Sequence, residues 1–183
     1  RGMENVPKTG PSIFMANHAS LADIPVLLAF LKVQFRWLAK AELFKIPILG
    51  RGMKGCGYIS IDRSDRKSAF DSLKKAAETI RNGVSVMIFP EGTRSKDGHI
   101  QEFKKGGFVL ALDAAVPIVP VVVHGTANIL PKGTMRVHPQ PVLIEIHQPI
   151  DTSAYTRKTK DDLIFRVRMI MQDAYYGGWV KSP

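Results

Sequence analysis

Two short segments of the chain carry the residue types that acid–base chemistry needs. His18 is followed by Asp23 five positions later, and residues 89–95, which read FPEGTRS, supply Glu91 and Arg94 on one glycine-containing turn. Histidine is the most frequent general base in proteins, and a neighbouring carboxylate can orient its ring. A guanidinium offers a fork of N–H donors that suits phosphate. Together, the two segments predict removal of a proton from a substrate that carries an anionic group.

The neighbours of His18 in the sequence favour this role. Residues 12–16 form a short apolar run that predicts a buried strand, and a helical pattern of apolar residues begins at Ser20. Ligands of α/β proteins bind where the strands end. Asp23, in the first turn of the predicted helix, can accept a hydrogen bond from Nδ1 of His18, which leaves Nε2 as the proton acceptor. The alternative is that Asp23 only completes a capping box with Ser20, and that His18 is a polar loop residue.

The turn after the next buried strand adds further candidates. Residues 84–89 predict a strand, and the turn that follows contains Glu91, Gly92, Thr93 and Arg94. Gly92 allows a ligand to approach the backbone closely. Backbone amides of this turn, or of the helix start after His18, are candidate donors to an oxyanion. The alternative is an exposed Glu–Arg pair, which stabilises a protein little.

Two more cations, Lys40 and Arg63, follow the predicted strands at residues 35–38 and 58–61. A basic group at the end of a strand suits a phosphate pocket. The alternative for each is an exposed surface cation.

Strands and helices alternate along the chain. Helices are predicted over residues 65–82, 108–115 and 160–175, further strands over residues 116–123 and 142–147, and a glycine-rich loop over residues 50–57. This alternation is typical of an α/β fold, with a mixed, largely parallel central sheet flanked by helices. The length of 183 residues predicts a single domain over residues 1–183.

The composition narrows the class of partner. The formal net charge is +10 and the pI is about 9.9, which favours anionic partners. Zinc-ligand spacing and RNP-type aromatic motifs are absent from the sequence, so nucleic acid is not the expected partner. A P-loop, a metal-ligand cluster and a Gly-x-Ser-x-Gly motif are absent too, so we expect no cofactor, no metal and no covalent enzyme intermediate. The predicted chemistry is direct: a base deprotonates a hydroxyl, which attacks an acyl group. The one cysteine, Cys56, is predicted to be a small buried residue.

Four motifs in order resemble those of the glycerolipid acyltransferases, typified by bacterial 1-acylglycerol-3-phosphate acyltransferase. The first is Asn17-His18 with Asp23, and the third is residues 89–95, a full match. Residues 57–63, GYISIDR, resemble the second motif, although Ser60 stands where an aromatic or aliphatic residue is frequent. Residues 116–121, VPIVPV, resemble the fourth, an apolar segment with a central proline.

The resemblance implies a role for each candidate residue. His18 is the base and Asp23 its orienting partner, while Arg63 and Arg94 contact phosphate and Lys40 is a further candidate for it. Glu91 holds the glycerol moiety or the geometry of the site. Gly92 and Thr93 belong to the same substrate-binding turn.

The resemblance also implies a reaction and a location. A fatty acyl group passes from acyl-CoA or acyl-carrier protein to the 2-hydroxyl of lysophosphatidate, which gives phosphatidate. The alternatives are acylation of glycerol-3-phosphate or another lysophospholipid, and a non-catalytic module that binds anionic lipid.

Family members usually carry a hydrophobic N-terminal anchor, which this chain is expected to lack. The protein is expected at the cytoplasmic face of a membrane, with its basic surface towards anionic headgroups. Leu27, Leu28, Phe30 and Met53 are candidates to line an acyl-chain tunnel, with core packing as the alternative.

Overall fold

Six strands form one sheet in the computed structural model, which describes residues 1–62, 64–130 and 136–177. The strands are β1 (Ile13–Ala16), β2 (Arg36–Lys40), β3 (Ile59–Ile61), β4 (Val86–Ile88), β5 (Ile118–His124) and β6 (Leu143–Ile146). Their order is β3-β2-β4-β1-β5-β6, and they pair in parallel except that β6 runs antiparallel to β5. The prediction of an α/β fold with a mixed, largely parallel sheet is confirmed.

Helices cover both faces of the sheet. They are α1 (Asp23–Phe30), α2 (Leu49–Gly55), α3 (Arg66–Arg81), α4 (Lys105–Ala114), α5 (Thr126–Ile129) and α6 (Lys160–Gly177), with 3₁₀ helices at Met3–Asn5 and Ala41–Lys45. Side chains of β1 alternate between the faces: Ile13 and Met15 pack with α3, α4 and α6, whereas Phe14 and Ala16 pack with α1. This burial on both sides explains why the strand is apolar at every position. No helix within the described ranges is long and apolar enough to cross a bilayer.

The predicted loop over residues 50–57 is wrong, because α2 occupies most of it. Gly50 is needed for close packing and not for flexibility. A Cβ on Gly50 would lie 2.1 Å from the carbonyl oxygen of Phe44, so only glycine lets α2 rest against the preceding 3₁₀ helix. The next residue after α2, Cys56, is exposed, which corrects the prediction that it is buried.

The parallel order brings the carboxyl ends of β2, β4, β1 and β5 to one edge of the sheet. Because β1 lies between β4 and β5, His18 after β1 is next to the turn that follows β4. The two segments that the sequence singles out are therefore neighbours in the fold, although many residues separate them in the chain.

Candidate active site

One oxygen of Asp23 orients the ring of His18. Nδ1 of His18 lies 2.7 Å from Oδ2 of Asp23, and the same oxygen accepts the backbone amides of Ala19 at 2.8 Å and Ser20 at 2.9 Å. Asp23 is fully buried. An ionised carboxylate can only accept, so Nδ1 of His18 carries the hydrogen of this bond. The neutral ring then has a bare nitrogen at Nε2, which can accept a proton.

The start of α1 explains why Asp23 reaches back to His18. Oγ of Ser20 accepts the amide of Ala22 at 3.1 Å, while Asp23 accepts the amide of Ser20, in a close variant of the capping box. The helix itself begins at Asp23, after a tight turn in which the amide of Asp23 donates to the carbonyl of Ser20. The same oxygen of Asp23 therefore contacts the ring of His18 and accepts the amide of Ser20 at the start of the helix.

Aromatic rings support the face of the imidazole. The ring of His18 stacks on Phe89 with centroids 3.8 Å apart and planes 8° apart, and Phe89 stacks on Trp37 at 5.0 Å. The side chain of His18 is 13% exposed. The ring is thus held on one edge by a carboxylate and on one face by Phe89, and a small part of it remains open to a substrate.

Glu91 ties the loop after β1 to the loop after β4. Its Oε1 accepts the amide of His18 at 2.7 Å, and its Oε2 accepts the amide of Gln101 at 2.9 Å. Glu91 is 2% exposed. Of the two roles that the sequence leaves open for this residue, these contacts favour holding the geometry of the site over touching the glycerol moiety.

The turn that carries Arg94 is bonded to the same loop. Gly92 has a φ of 73°, and its amide donates to the carbonyl of Phe89 at 3.0 Å. The amide of Ser95 donates to the carbonyl of His18 at 2.7 Å. Arg94 is half-buried on this turn. The structure thus brings the Arg94 turn into direct contact with the backbone of His18.

A pocket of about 480 Å³ opens beside the 89–93 turn. Gly92 and Thr93 of that turn line the pocket, and so do Lys104 and Gly106 at the start of α4. Most of the remaining wall is apolar and comes from β2, β3, β4 and α3, through Leu38, Ile61, Ile88, Ala69 and Leu73. The pocket lies on the face of the sheet covered by α3 and α4.

The four residues suggested for an acyl-chain tunnel do not line this pocket. Leu27 packs in the core on the α1 face, and Leu28 and Phe30 of α1 are exposed. Met53 is buried in α2. The alternative of core packing thus holds for Leu27 and Met53 but not for Leu28 and Phe30. Phe30 lines a different pocket, of about 440 Å³, between α1 and β6.

Lys40 is exposed at the carboxyl end of β2, at the same edge of the sheet as His18. Strand β2 is the neighbour of β4 in the sheet. Arg63 lies outside the described residues. Among the residues that the structure describes, no group of three or more His, Cys, Asp or Glu side chains could hold a metal ion.

Supporting contacts that the sequence did not indicate surround the site. The side-chain amide of Asn17 bonds to both the carbonyl and the amide of Val123, at 2.9 and 2.7 Å, and so fastens the end of β1 to β5. The hydroxyl of Tyr175, on α6, donates to the carbonyl of Gly98 at 2.6 Å and holds the loop that follows Arg94. The sequence could have indicated Asn17, because this residue adjoins His18 in the first motif. Nothing in the sequence indicates the contact of Tyr175.

The burial of Glu91 predicts a pH dependence of stability. Burial raises the pKa of Glu91, and the hydrogen bonds from the two backbone amides oppose that shift. In the window between about pH 4.3, the ordinary pKa of Glu, and the higher pKa of the folded state, the folded protein binds the extra proton. The contribution of Glu91 to the free energy of unfolding is therefore complete below this window and is lost as the pH rises through it.

Urea unfolding of the wild type and of Glu91→Gln, over a series of pH values, measures this contribution. We expect the stability of the wild type relative to the variant to decline as the pH rises through the window. The exposed Glu102→Gln serves as the control and should show no such trend. A relative stability that grows with pH would mean that the amide hydrogen bonds outweigh burial.

Known proteins resemble this chain in both sequence and structure. Residues 1–124 match the acyltransferase family. A chloroplastic 1-acyl-sn-glycerol-3-phosphate acyltransferase of Brassica napus is 40% identical over 152 residues, which cover 82% of this chain and 44% of the relative. The 1-acyl-sn-glycerol-3-phosphate acyltransferase of Borreliella burgdorferi is 33% identical over 167 residues, covering 91% of this chain and 67% of the relative.

A solved structure is similar over nearly the whole chain. The crystal structure of the 1-acyl-sn-glycerophosphate acyltransferase PlsC from Thermotoga maritima matches with a TM-score of 0.85 and 34% identity, over 99% of this chain and 73% of that one. The chain spans less than half the length of the Brassica relative. The family match over residues 1–124 covers more than half of the chain and includes His18, Asp23 and Arg94. The chain therefore belongs to the acyltransferase family.

Proposed function

We propose that this protein transfers a fatty acyl group from an acyl thioester, acyl-CoA or acyl-carrier protein, to the 2-hydroxyl of lysophosphatidate, which gives phosphatidate and a free thiol. The observation that carries the proposal is the hydrogen bond of 2.7 Å between Nδ1 of His18 and Asp23, because it leaves Nε2 as a proton acceptor. The names of the relatives in Brassica napus and Borreliella burgdorferi support the choice of acceptor.

His18 acts as a general base and then as a general acid. Its Nε2 takes the proton of the 2-hydroxyl as that oxygen bonds to the thioester carbonyl carbon. The tetrahedral species collapses with cleavage of the C–S bond, and Nε2 returns the proton to the leaving sulfur. The products are an ester and a thiol, and His18 is neutral again. General acid–base catalysis of this kind contributes about 10²–10⁴-fold to the rate.

Asp23 holds the ring in the orientation and tautomer that this sequence of proton transfers needs. Its buried carboxylate also stabilises the imidazolium that forms when Nε2 is protonated. Glu91 acts one step further away, since it fixes the backbone of His18 and not the ring. We therefore assign Asp23 and Glu91 to positioning the base.

The anionic end of the acceptor binds to the basic groups of the edge. Arg94 is on the turn bonded to His18, and its guanidinium can make a bidentate contact with a phosphate. Arg63 and Lys40 are proposed as further phosphate contacts. The net charge of +10 favours the approach of such a substrate.

The acyl chain of the donor is proposed to occupy the pocket beside the 89–93 turn. Its volume of about 480 Å³ and its apolar wall suit an alkyl chain, and ligand pockets typically measure about 300–1,000 Å³. Gly92 and Thr93, which line the pocket and belong to the turn bonded to His18, would then lie next to the thioester.

Four of the backbone amides considered for an oxyanion hole already have an acceptor. The backbone amides of His18, Ala19 and Ser20 already donate to buried carboxylates, and the amide of Gly92 donates to a carbonyl. We therefore propose other amides of the same two segments, such as that of Thr93, as the donors to the oxyanion.

A lipid acceptor requires the protein to work at a membrane surface. We propose that it does so at the cytoplasmic face, with its basic surface towards anionic headgroups. The rival proposal, a non-catalytic module that binds anionic lipid, predicts lipid binding without release of thiol.

Replacement of His18 tests the reaction directly. We expect His18→Ala to lower thiol release from hexadecanoyl-CoA, in the presence of lysophosphatidate, by about 10²–10⁴-fold, because the proton acceptor is gone. The exposed His138→Ala is the control and should retain wild-type turnover. A His18→Ala protein with wild-type activity would remove His18 from the mechanism. Faster release with glycerol-3-phosphate would instead assign the other acceptor, and a wild type that releases no thiol would favour the non-catalytic module.

Replacement of Gly106 tests the assignment of the pocket. A Cβ at Gly106 meets no atom within 4 Å, so a leucine side chain can extend into the space that this residue lines. We expect Gly106→Leu to lower kcat/KM for hexadecanoyl-CoA by roughly tenfold or more relative to octanoyl-CoA, since only the longer chain needs the full depth. An unchanged ratio of the two rates would place the donor chain elsewhere.

A further inference from the structure

Large apolar side chains are exposed together between β2 and α2. Leu43, Ile46, Ile48 and Leu49 are 39%, 45%, 86% and 49% exposed, respectively. We refer to residues 43–49 as the apolar patch. Neighbouring apolar side chains left in water mark a surface that binds something.

The backbone at Ile48 makes this exposure more unusual. Ile48 has a φ of 66° and a ψ of −61°, and the amide of Leu49 donates to the carbonyl of Pro47 at 2.7 Å. This is a γ-turn with its central residue at positive φ, a rare and strained form. A β-branched residue at such a position is an outlier, and glycine would adopt the same turn without strain. Ile48 thus combines a strained backbone with an almost fully exposed apolar side chain. Neither feature stabilises the protein when it is alone in water.

Basic residues surround the apolar patch. Four are exposed in the segment from residue 40 to residue 54, against a single acidic residue, Glu42. The four are Lys40, Lys45, Arg51 and Lys54. An apolar tip with a cationic rim is complementary to the interface of a bilayer that contains anionic lipid, where apolar side chains enter the acyl boundary and cations meet the headgroups.

The apolar patch lies at the same edge of the sheet as the candidate active site. The 3₁₀ helix Ala41–Lys45 directly follows the carboxyl end of β2, and β2 pairs with β4, whose carboxyl end leads to Glu91. Helix α2 packs against that 3₁₀ helix where Gly50 meets the backbone of Phe44, so the patch is anchored to the fold. Insertion of the patch would therefore turn the edge that carries His18 towards the lipid.

We infer that residues 43–49 insert into the interface of an anionic membrane, with Lys45, Arg51 and Lys54 bound to headgroups. The inference deepens the proposed function, on which it rests for its biological purpose, because it identifies the surface that meets the membrane supplying the lipid acceptor. The binding step itself needs no turnover and can be measured without substrate.

Flotation of the 183-residue chain with lipid vesicles tests the inference. The wild type should bind vesicles of equal parts phosphatidylcholine and phosphatidylglycerol, and should bind phosphatidylcholine alone much more weakly. Added salt should weaken the binding, because it screens the headgroup charge.

Ile48→Gly separates membrane insertion from folding. We expect this variant to bind the anionic vesicles roughly tenfold more weakly, because the inserted side chain is lost. Its Tm should equal or exceed that of the wild type, because glycine accepts the positive φ. Phe165→Ala removes a side chain that is 66% exposed on α6 and is the matched control, for which we expect unchanged binding.

A pair of lysine variants tests the cationic rim. Lys45→Gln with Lys54→Gln should weaken binding to anionic vesicles by about 25-fold, at about fivefold for each charge near the surface. Lys74→Gln with Lys75→Gln removes the same charge from exposed positions on α3 and should leave binding unchanged.

Several outcomes would overturn the inference. These are a wild type that does not float with anionic vesicles, equal losses in the test and control variants, or wild-type binding by Ile48→Gly. A dimer in sedimentation that Ile48→Gly abolishes, without vesicle binding by the wild type, would assign the apolar patch to a second copy of the chain.

The failure of this inference and the failure of the proposed function give different results. Thiol release in detergent micelles does not depend on vesicle binding. Release without vesicle binding overturns the membrane surface alone, and vesicle binding without release overturns the acyl transfer alone.

Discussion

The candidate active site depends on a single buried carboxylate oxygen. Oδ2 of Asp23 accepts the ring of His18 and the two amides that begin the turn into α1. Removal of that oxygen would leave two backbone amides without their acceptor and would release the ring at the same time, and buried donors without a partner are costly. The turn into α1 and the orientation of the His18 ring therefore depend on the same oxygen, and a substitution at Asp23 cannot change one without the other.

Glu91, a second buried carboxylate at this edge of the sheet, also accepts two backbone amides. Glu91 accepts one amide from the loop after β1 and one from the loop after β4, while the amide of Ser95 returns a bond to the carbonyl of His18. Parallel pairing of β1 with β4 brings these loops together, and Glu91 bridges them. The guanidinium of Arg94 is thereby carried on a turn whose position relative to His18 is set by backbone hydrogen bonds. Such bonds are shorter-ranged and more directional than a surface ion pair, so they suit the positioning of catalytic groups.

Much of the fold follows from local pattern, and the errors follow from long-range packing. The apolar runs that became β1, β4 and β5 are buried on both faces, so their composition identifies them. The glycines of α2 suggested a loop, because a sequence does not reveal that Gly50 must accommodate the backbone of Phe44. In the site, His18 and Asp23 are only five residues apart, so the contact between them could be predicted from the sequence. The apolar wall of the pocket and the bond from Tyr175 to Gly98 join distant segments, and no local pattern indicates them.

The structure places the ring of His18, the turn that carries Arg94 and an apolar pocket at one edge of the mixed sheet. The proposed mechanism requires one tautomer of His18. The ¹⁵N chemical shifts of the His18 ring, recorded for labelled protein at a pH where the ring is neutral, test this requirement most directly. We expect a protonated, pyrrole-like Nδ1 and an unprotonated, pyridine-like Nε2. The reverse assignment would leave Nε2 without a lone pair for a substrate proton, and would contradict the proposed mechanism at its first step.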